Sequence, residues 1–109
     1  MPSDQITPFI ARRYLTGDGV TVAQFELRKD GIVPRHSHAN EQVSCVLRGG
    51  LKFVFDDGET VVGAGEVIQI PGGVAHEVVV LEDAVVLDVF SPVRRDWIDG
   101  TDTYFKERQ

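Results

Sequence analysis

The sequence predicts an all-β sandwich or barrel, and three observations carry that expectation. Short segments rich in valine and phenylalanine recur along most of the chain. Turn residues punctuate them at short, fairly regular intervals, and no stretch of about 12 residues has a convincing helical period. In order, the strand candidates are "VTVAQFEL" (20–27), "EQVSCVL" (41–47), "LKFVF" (51–55), "EVIQI" (66–70), "HEVVVL" (76–81) and "AVVLDVF" (84–90). Between them lie "DG" at 18 and 30, "GG" at 49, "DDG" at 56, "GAG" at 63, "PGG" at 71 and "ED" at 82. Asp57-Gly58, between "KFVF" and "ETVV", is expected to form a type I′ hairpin turn, because glycine accepts positive φ cheaply. The last segment, "RRDWIDGTDTYFKERQ", has room for one short helical turn.

Composition narrows the function. A chain of 109 residues with 42% hydrophobic residues suffices for one domain with a buried core. No run of 18 or more apolar residues is present, so no transmembrane helix is expected. The start, "MPSDQITPFIARRYL", lacks a basic region followed by an apolar one, and a cytoplasmic location is expected. The single cysteine, Cys45, excludes an intrachain disulfide and fits a reducing compartment. It is expected to be a buried small hydrophobe. A net charge of −6 without a basic tract makes nucleic acids and anionic membranes poor partners. Small molecules, metal cations and other protein chains remain.

The chemistry concentrates in "HSHANEQ", residues 36–42. On a strand, His36 and His38 point to one face about 7 Å apart, and two imidazoles can then share an ion at roughly 2.1 Å from each nitrogen. Gln42 lies at an even offset and faces the same way; Glu41, at an odd offset, faces out unless a bulge inverts it. The third and last histidine, His76, follows the turn "PGGVA". Read singly, each of these is a solvated or isolated histidine; the spacing and the third histidine make a shared metal site an equal alternative. In "VVLDVF", Asp88 sits mid-strand among apolar neighbours and shares a face with Phe90. A buried carboxylate is costly without a partner, so Asp88 either faces a wet cavity or pairs with Arg94 or Arg95 to anchor the tail.

"GIVPRHSHANEQVSCVLRG" and "GEVIQIPGGVAH" resemble the two signature motifs of the cupin superfamily. Gly65, Pro71, Gly73 and His76 match the second motif, and Val80 stands where the family has asparagine. His36, His38, Gln42 and Gly49 match the first, with Gln42 replacing the usual glutamate and Gly31 one residue closer to His36 than the pattern asks. The resemblance implies a single-domain cupin (RmlC-like) jelly-roll β-barrel over residues 20–92. It also implies a divalent ion held by His36, His38, Gln42 and His76, the first three on one strand. A mixed nitrogen and oxygen set suits Ni, Zn, Mn, Fe or Co without choosing among them. Residues 1–19 would form an N-terminal segment that a dimer could exchange as a strand, and residues 93–109 a tail packed on the barrel through Trp97.

"VPRHSHANEQV", "EVVVLEDAVVLDVFSP" and "RRDW" together resemble the KdgF-type cupins of pectin degradation. Asn40 replaces a histidine of that pattern. The resemblance implies a metal-dependent enzyme, lyase- or isomerase-like, that opens 4,5-unsaturated monouronates to linear keto acids. Asp88 would shuttle a proton, Phe90 would contact the substrate, and Arg94 would grip its carboxylate in a bidentate fork. Other enzyme classes stay open: a metal-dependent dioxygenase, a polyketide cyclase or a carbon–carbon lyase. So does a non-enzymatic metal- or sugar-binding module. Phe9, Tyr14, Tyr104 and Phe105 exceed what so small a barrel needs to cover itself, which together with the resemblance implies a homodimer.

Overall fold

The computed structural model describes residues 1–102 and 104. Eight strands follow in chain order: β1 (Asp4–Thr7), β2 (Ile10–Thr16), β3 (Thr21–Leu27), β4 (Ile32–His36), β5 (Glu41–Phe55), β6 (Gly58–Gly63), β7 (Val67–Ile70) and β8 (His76–Ser91). One short helix, α1 (Arg95–Asp99), ends on Gly100 in the left-handed conformation. All pairings are antiparallel.

The two long strands, β5 and β8, organise the rest because each serves both halves of the jelly roll. In one half, β5 around Gln42–Cys45 lies between β7 and the end of β8, and β8 continues to β3, β2 and β1. In the other, β5 around Leu51–Val54 lies between β6 and the start of β8, which also pairs β4. The crossing falls at Arg48–Gly50 on β5, where the register slips. Gly49 takes a φ of +81°, and a Cβ there would stand 2.1 Å from the Asp83 carbonyl oxygen, so only glycine lets the strands pass so closely. The turns expected at "GG" 49 and "ED" 82 are therefore bends inside continuous strands. The valine-rich stretches on either side pair too well to be interrupted, and the close approach of Gly49 to Asp83 lets both strands bend together.

Two further expectations change. The β5–β6 loop is Asp56–Asp57, with Gly58 already paired to Phe55, and Asp30 alone among the described non-glycine residues has positive φ; the turn is thus not type I′. Cys45 is half-buried, because the parity that turns Gln42, Ser44 and Val46 inward turns Cys45 to the outer face.

Inward residues at the floor of the barrel are apolar and buried: Ile10, Leu27, Val46, Leu51, Val80 and Ala84. Each large one contributes about 1.5–3 kcal/mol by leaving water. β1 pairs with β2, and β2 with β3 of the same chain. Trp97 of α1 is buried and packs edge-on against Phe25 and Phe90 and tilted against Tyr14. Arg12 donates to Asp102 at 2.9 Å, holding the tail beside Trp97. Tyr14 and Tyr104 are thereby used within the chain, Phe9 remains exposed, and Phe105 lies outside the described residues.

Candidate metal centre

The three histidines converge at the mouth of the barrel. His36 ends β4 and sits directly opposite His76, the first residue of β8. His38 lies in the connecting loop and Gln42 is the second residue of β5, so the first-motif residues come from two strands and a loop, not from one strand. The run breaks after His36 because the loop residues pack against the second motif. The Gly73 N–H donates to the His38 carbonyl at 2.8 Å, and a Cβ on Gly72 would fall 2.3 Å from the Ala39 oxygen. Asn40 donates through Nδ2 to the carbonyls of Pro92 and Val93, tying this loop to the segment that leads into Arg94.

Each ring presents the same end inward. Nδ1–H of His36 donates to the Pro34 carbonyl at 2.8 Å, that of His38 to Asn40 at 3.0 Å and that of His76 to Val74 at 2.9 Å. A carbonyl can only accept, so Nδ1 carries the proton and Nε2 keeps its lone pair. Ligand atoms of the three rings lie within 4.8 Å of one another. Burial pushes the His36 pKa down to about 3, with His76 adding to the effect. Burial, then the Arg94 charge, pushes His38 down to about 4, and burial lowers His76 as well. All three imidazoles are neutral at neutral pH.

His38 supplies the test of whether these residues suit a cation. Its Nε2 faces Gln42 Oε1 at 3.0 Å, while its Nδ1 faces a carbonyl. A neutral imidazole has one proton and cannot satisfy two acceptors. A doubly protonated ring is disfavoured by burial, so a cation between Nε2 and Oε1 fits the arrangement. The Gln42 amide is held in that orientation by Nε2 donating to Ser44 Oγ at 2.9 Å. Glu41 points out as its parity predicts, exposed and accepting from Gln69 at 2.9 Å, and is no rival ligand.

Beside this centre lies a cavity of ≈ 40 Å³ lined by Asp88, Phe90, Arg94 and Tyr104 among others. Asp88 is buried, and its Oδ1 has no hydrogen-bond partner among the described residues. Burial raises its pKa to about 6, against the opposing pull of the Ser44 hydroxyl and of Arg94. Phe90 stands edge-on to His38 at 5.5 Å between ring centroids.

Arg94, expected to grip a substrate carboxylate, has its fork occupied within the chain. It is 1% exposed, and its guanidinium packs over Phe90 and Trp97. Its fork is closed on Asp96, with Nε to Oδ1 at 2.9 Å and Nη2 to Oδ2 at 2.6 Å, while Nη2 also reaches the Tyr104 hydroxyl at 3.1 Å. Burial works against both charges, yet the mutual bonds raise the Arg94 pKa and lower that of Asp96. Arg94 does not hydrogen-bond Asp88. Tyr104, expected at a dimer surface, instead stacks on His36 with centroids 4.0 Å apart and planes 5° off parallel. Sequence reasoning missed Ser44, Asp96 and this use of Tyr104. Ser44 was signalled by its even offset from Gln42, and Asp96 by standing two residues after Arg94.

The Cupin domain family matches residues 23–90, well over half of the chain. The chain belongs to the cupin family. Among solved structures, this cupin is similar to KdgF from Halomonas sp. (TM-score 0.81, 22% identity, 89% of this chain and 93% of that one). It is also similar to an RmlC-like cupin from Shewanella frigidimarina (TM-score 0.81, 26% identity, 88% and 87%). A variant of Bacillus subtilis oxalate decarboxylase matches with a TM-score of 0.76 and 20% identity over 84% of this cupin but 27% of that chain. That decarboxylase has Mn(II) centres. No curated protein matches the sequence. The histidine group of this cupin could thus hold a metal ion, and among the described residues no helix is long and apolar enough to cross a membrane.

Proposed function

We propose that this cupin is a divalent-metal-dependent enzyme that opens a 4,5-unsaturated monouronate to a linear keto acid. The observation that carries the reading is one of adjacency. Three neutral imidazoles and an amide oxygen converge next to Asp88, a buried carboxylate with a free oxygen on the same cavity. His36, His38, His76 and Gln42 would hold Ni, Zn, Mn, Fe or Co. When bound, the ion supplies a Lewis acid for an anionic oxygen, its charge undiminished by neutral donors. Asp88 does the proton work. A pKa of about 6 keeps both its forms within reach at neutral pH, as a shuttle to the enol oxygen or to C4 of the sugar requires. The likeness to KdgF and the motif "LDVFSP" support this substrate class.

Two features set conditions on it. The cavity has room for about three waters, at some 10–15 Å³ each, and a sugar ring is larger. A uronate reaches Asp88 only if the cavity widens, and Tyr104, stacked on His36, is one of its walls. Arg94 can grip a carboxylate only if Asp96 yields its place in the fork; otherwise it acts as a fixed positive charge on the cavity wall. The cavity volume favours a second reading, a carbon–carbon lyase acting on a small carboxylate, in the manner of the decarboxylase neighbour.

The test is loss of the enol absorbance of 4,5-unsaturated galacturonate against its spontaneous rate, with the protein loaded in turn with each of the five metals. Acceleration is expected with at least one. Asp88→Asn should keep the ion and the fold but lower turnover by about 10²–10⁴, the usual contribution of a general acid or base. No acceleration with any metal excludes the uronate reading; release of CO₂ from oxalate would then establish the second.

A further inference from the structure

Gln42 is an unusual donor in one respect: its amide has two ends of nearly equal shape and opposite use. Oε1 can hold a cation, whereas the NH₂ end has no lone pair to offer and would repel one. A glutamine ligand therefore needs something that fixes which end faces the ion. We propose that Ser44 is that positioning residue: its hydroxyl, set between the Gln42 amide and the Asp88 carboxylate, locks Oε1 toward the imidazoles. The inference rests on the metal reading above.

Three observations carry it. Ser44 is fully buried, on the inward face of β5 two residues after Gln42. Gln42 Nε2 donates to Ser44 Oγ at 2.9 Å, so the hydroxyl spends a lone pair on the amide and keeps its own proton to give. Ser44 stands directly across the ladder from Asp88, and its hydroxyl opposes the burial that raises the Asp88 pKa, as a donor facing a carboxylate does. A carboxylate can only accept, a hydroxyl has one proton, and an amide end is either donor or acceptor. The polarity of the row is then unique: Gln42 N–H to Ser44 oxygen, Ser44 O–H to Asp88. Reversing the amide would set Oε1 against Ser44 Oγ, whose proton is already committed. Asp88 acts on the ion's donor through Ser44, with no need to touch it.

Co(II) titration of the ion-free protein, followed by calorimetry and by the visible ligand-field bands, tests this without any substrate. Ser44→Ala should weaken Co(II) binding by about 10–100-fold, the usual cost of losing a group that orients a ligand. Its bands should move toward those of Gln42→Ala. Ser44→Cys, which keeps the volume but bonds weakly, should shift in the same direction, and Ser44→Thr, which keeps the hydroxyl, should restore both readings. In a Gln42→Glu background, where oxygen occupies both ends of residue 42, Ser44→Ala should change affinity by less than about threefold. Wild-type affinity and bands in Ser44→Ala and Ser44→Cys, with Gln42→Ala impaired, would overturn the role of Ser44 and leave the metal site standing. No Co(II) binding by the unaltered protein would overturn the metal reading and this inference with it.

Discussion

The mouth and the floor of the barrel are built from the same strands with the same inward parity, yet they are filled differently. At the floor, β5 and β8 turn Val46, Leu51, Val80 and Ala84 inward. At the mouth, the same two strands turn in Gln42, Ser44, His76 and Asp88, all just as buried. The floor gains free energy from every side chain it removes from water. The mouth loses free energy unless each polar atom finds a partner. Most do: the Nδ1 atoms have their carbonyls, Gln42 has Ser44, and Arg94 has Asp96. At the centre itself, the Nε2 lone pairs face Gln42 Oε1, and beside them Asp88 Oδ1 has no hydrogen-bond partner among the described residues. Stability and chemistry are thus separated along the barrel axis, not between layers or domains.

The sharpest way to break this division is His76→Ala. It should reduce divalent-ion affinity, measured by calorimetry, beyond the roughly 100-fold typical of losing an orienting group, and leave the circular dichroism of the ion-free protein unchanged. Unaltered affinity would make the polar mouth a structural device only. Leu51→Ala probes the floor. It should cost about 2–5 kcal/mol in denaturant unfolding, the range for deleting a buried leucine side chain, while affinity for the ion stays within a few-fold. A large loss of affinity there would show that the two ends are energetically one unit.

The smallest effect expected is that of pH on the ion-free protein. The three imidazoles titrate below their unfolded value of about 6.5. Unfolding therefore takes up protons, and their contribution, fully present above that value, is lost as the pH falls. Asp88 has the opposite sign, since its folded pKa of about 6 lies above the ordinary carboxylate value. Its protonation returns a small part of the loss. Between pH 7 and pH 6, stability should drop by about 1–2 kcal/mol after allowance for solvent screening of the half-buried His36 and His38 rings. A melting temperature that rises over this interval would mean that the imidazoles are not held neutral.

Much of this was legible in the sequence because it depends on parity and spacing. The inward set Gln42, Ser44 and Val46 follows from alternation, as does the outward Glu41. The His36–His38–Gln42 and Gly65–His76 spacings carried the family and the candidate ligands. Other features depend on distant atoms. No local signal shows that Gly49 passes close enough to Asp83 for both strands to continue, since "GG" and "ED" are ordinary turn pairs. The break between His36 and Gln42 is set by the Pro71–Gly73 loop pressing on Ala39, over thirty residues away in sequence. The closed fork of Arg94 needed only Asp96, two residues on, but an arginine beside a candidate active site invites a substrate before a neighbour. Tyr104 on His36 joins a tail to a strand across most of the chain, which no pattern could reveal.

The ladder that seats Thr21 against Phe90 and His36 against His76 also has a kinetic meaning. These partners are far apart along the chain, so loop-closure entropy must be overcome before they reward it. Barrels of this kind fold in milliseconds to seconds, not microseconds. The ion's donors come together only when those closures are complete, so the unfolded chain offers it no comparable site. Its binding energy is added to the native state alone, and above its dissociation constant each tenfold rise in free ion adds about 1.4 kcal/mol to the resistance of the closed barrel to opening.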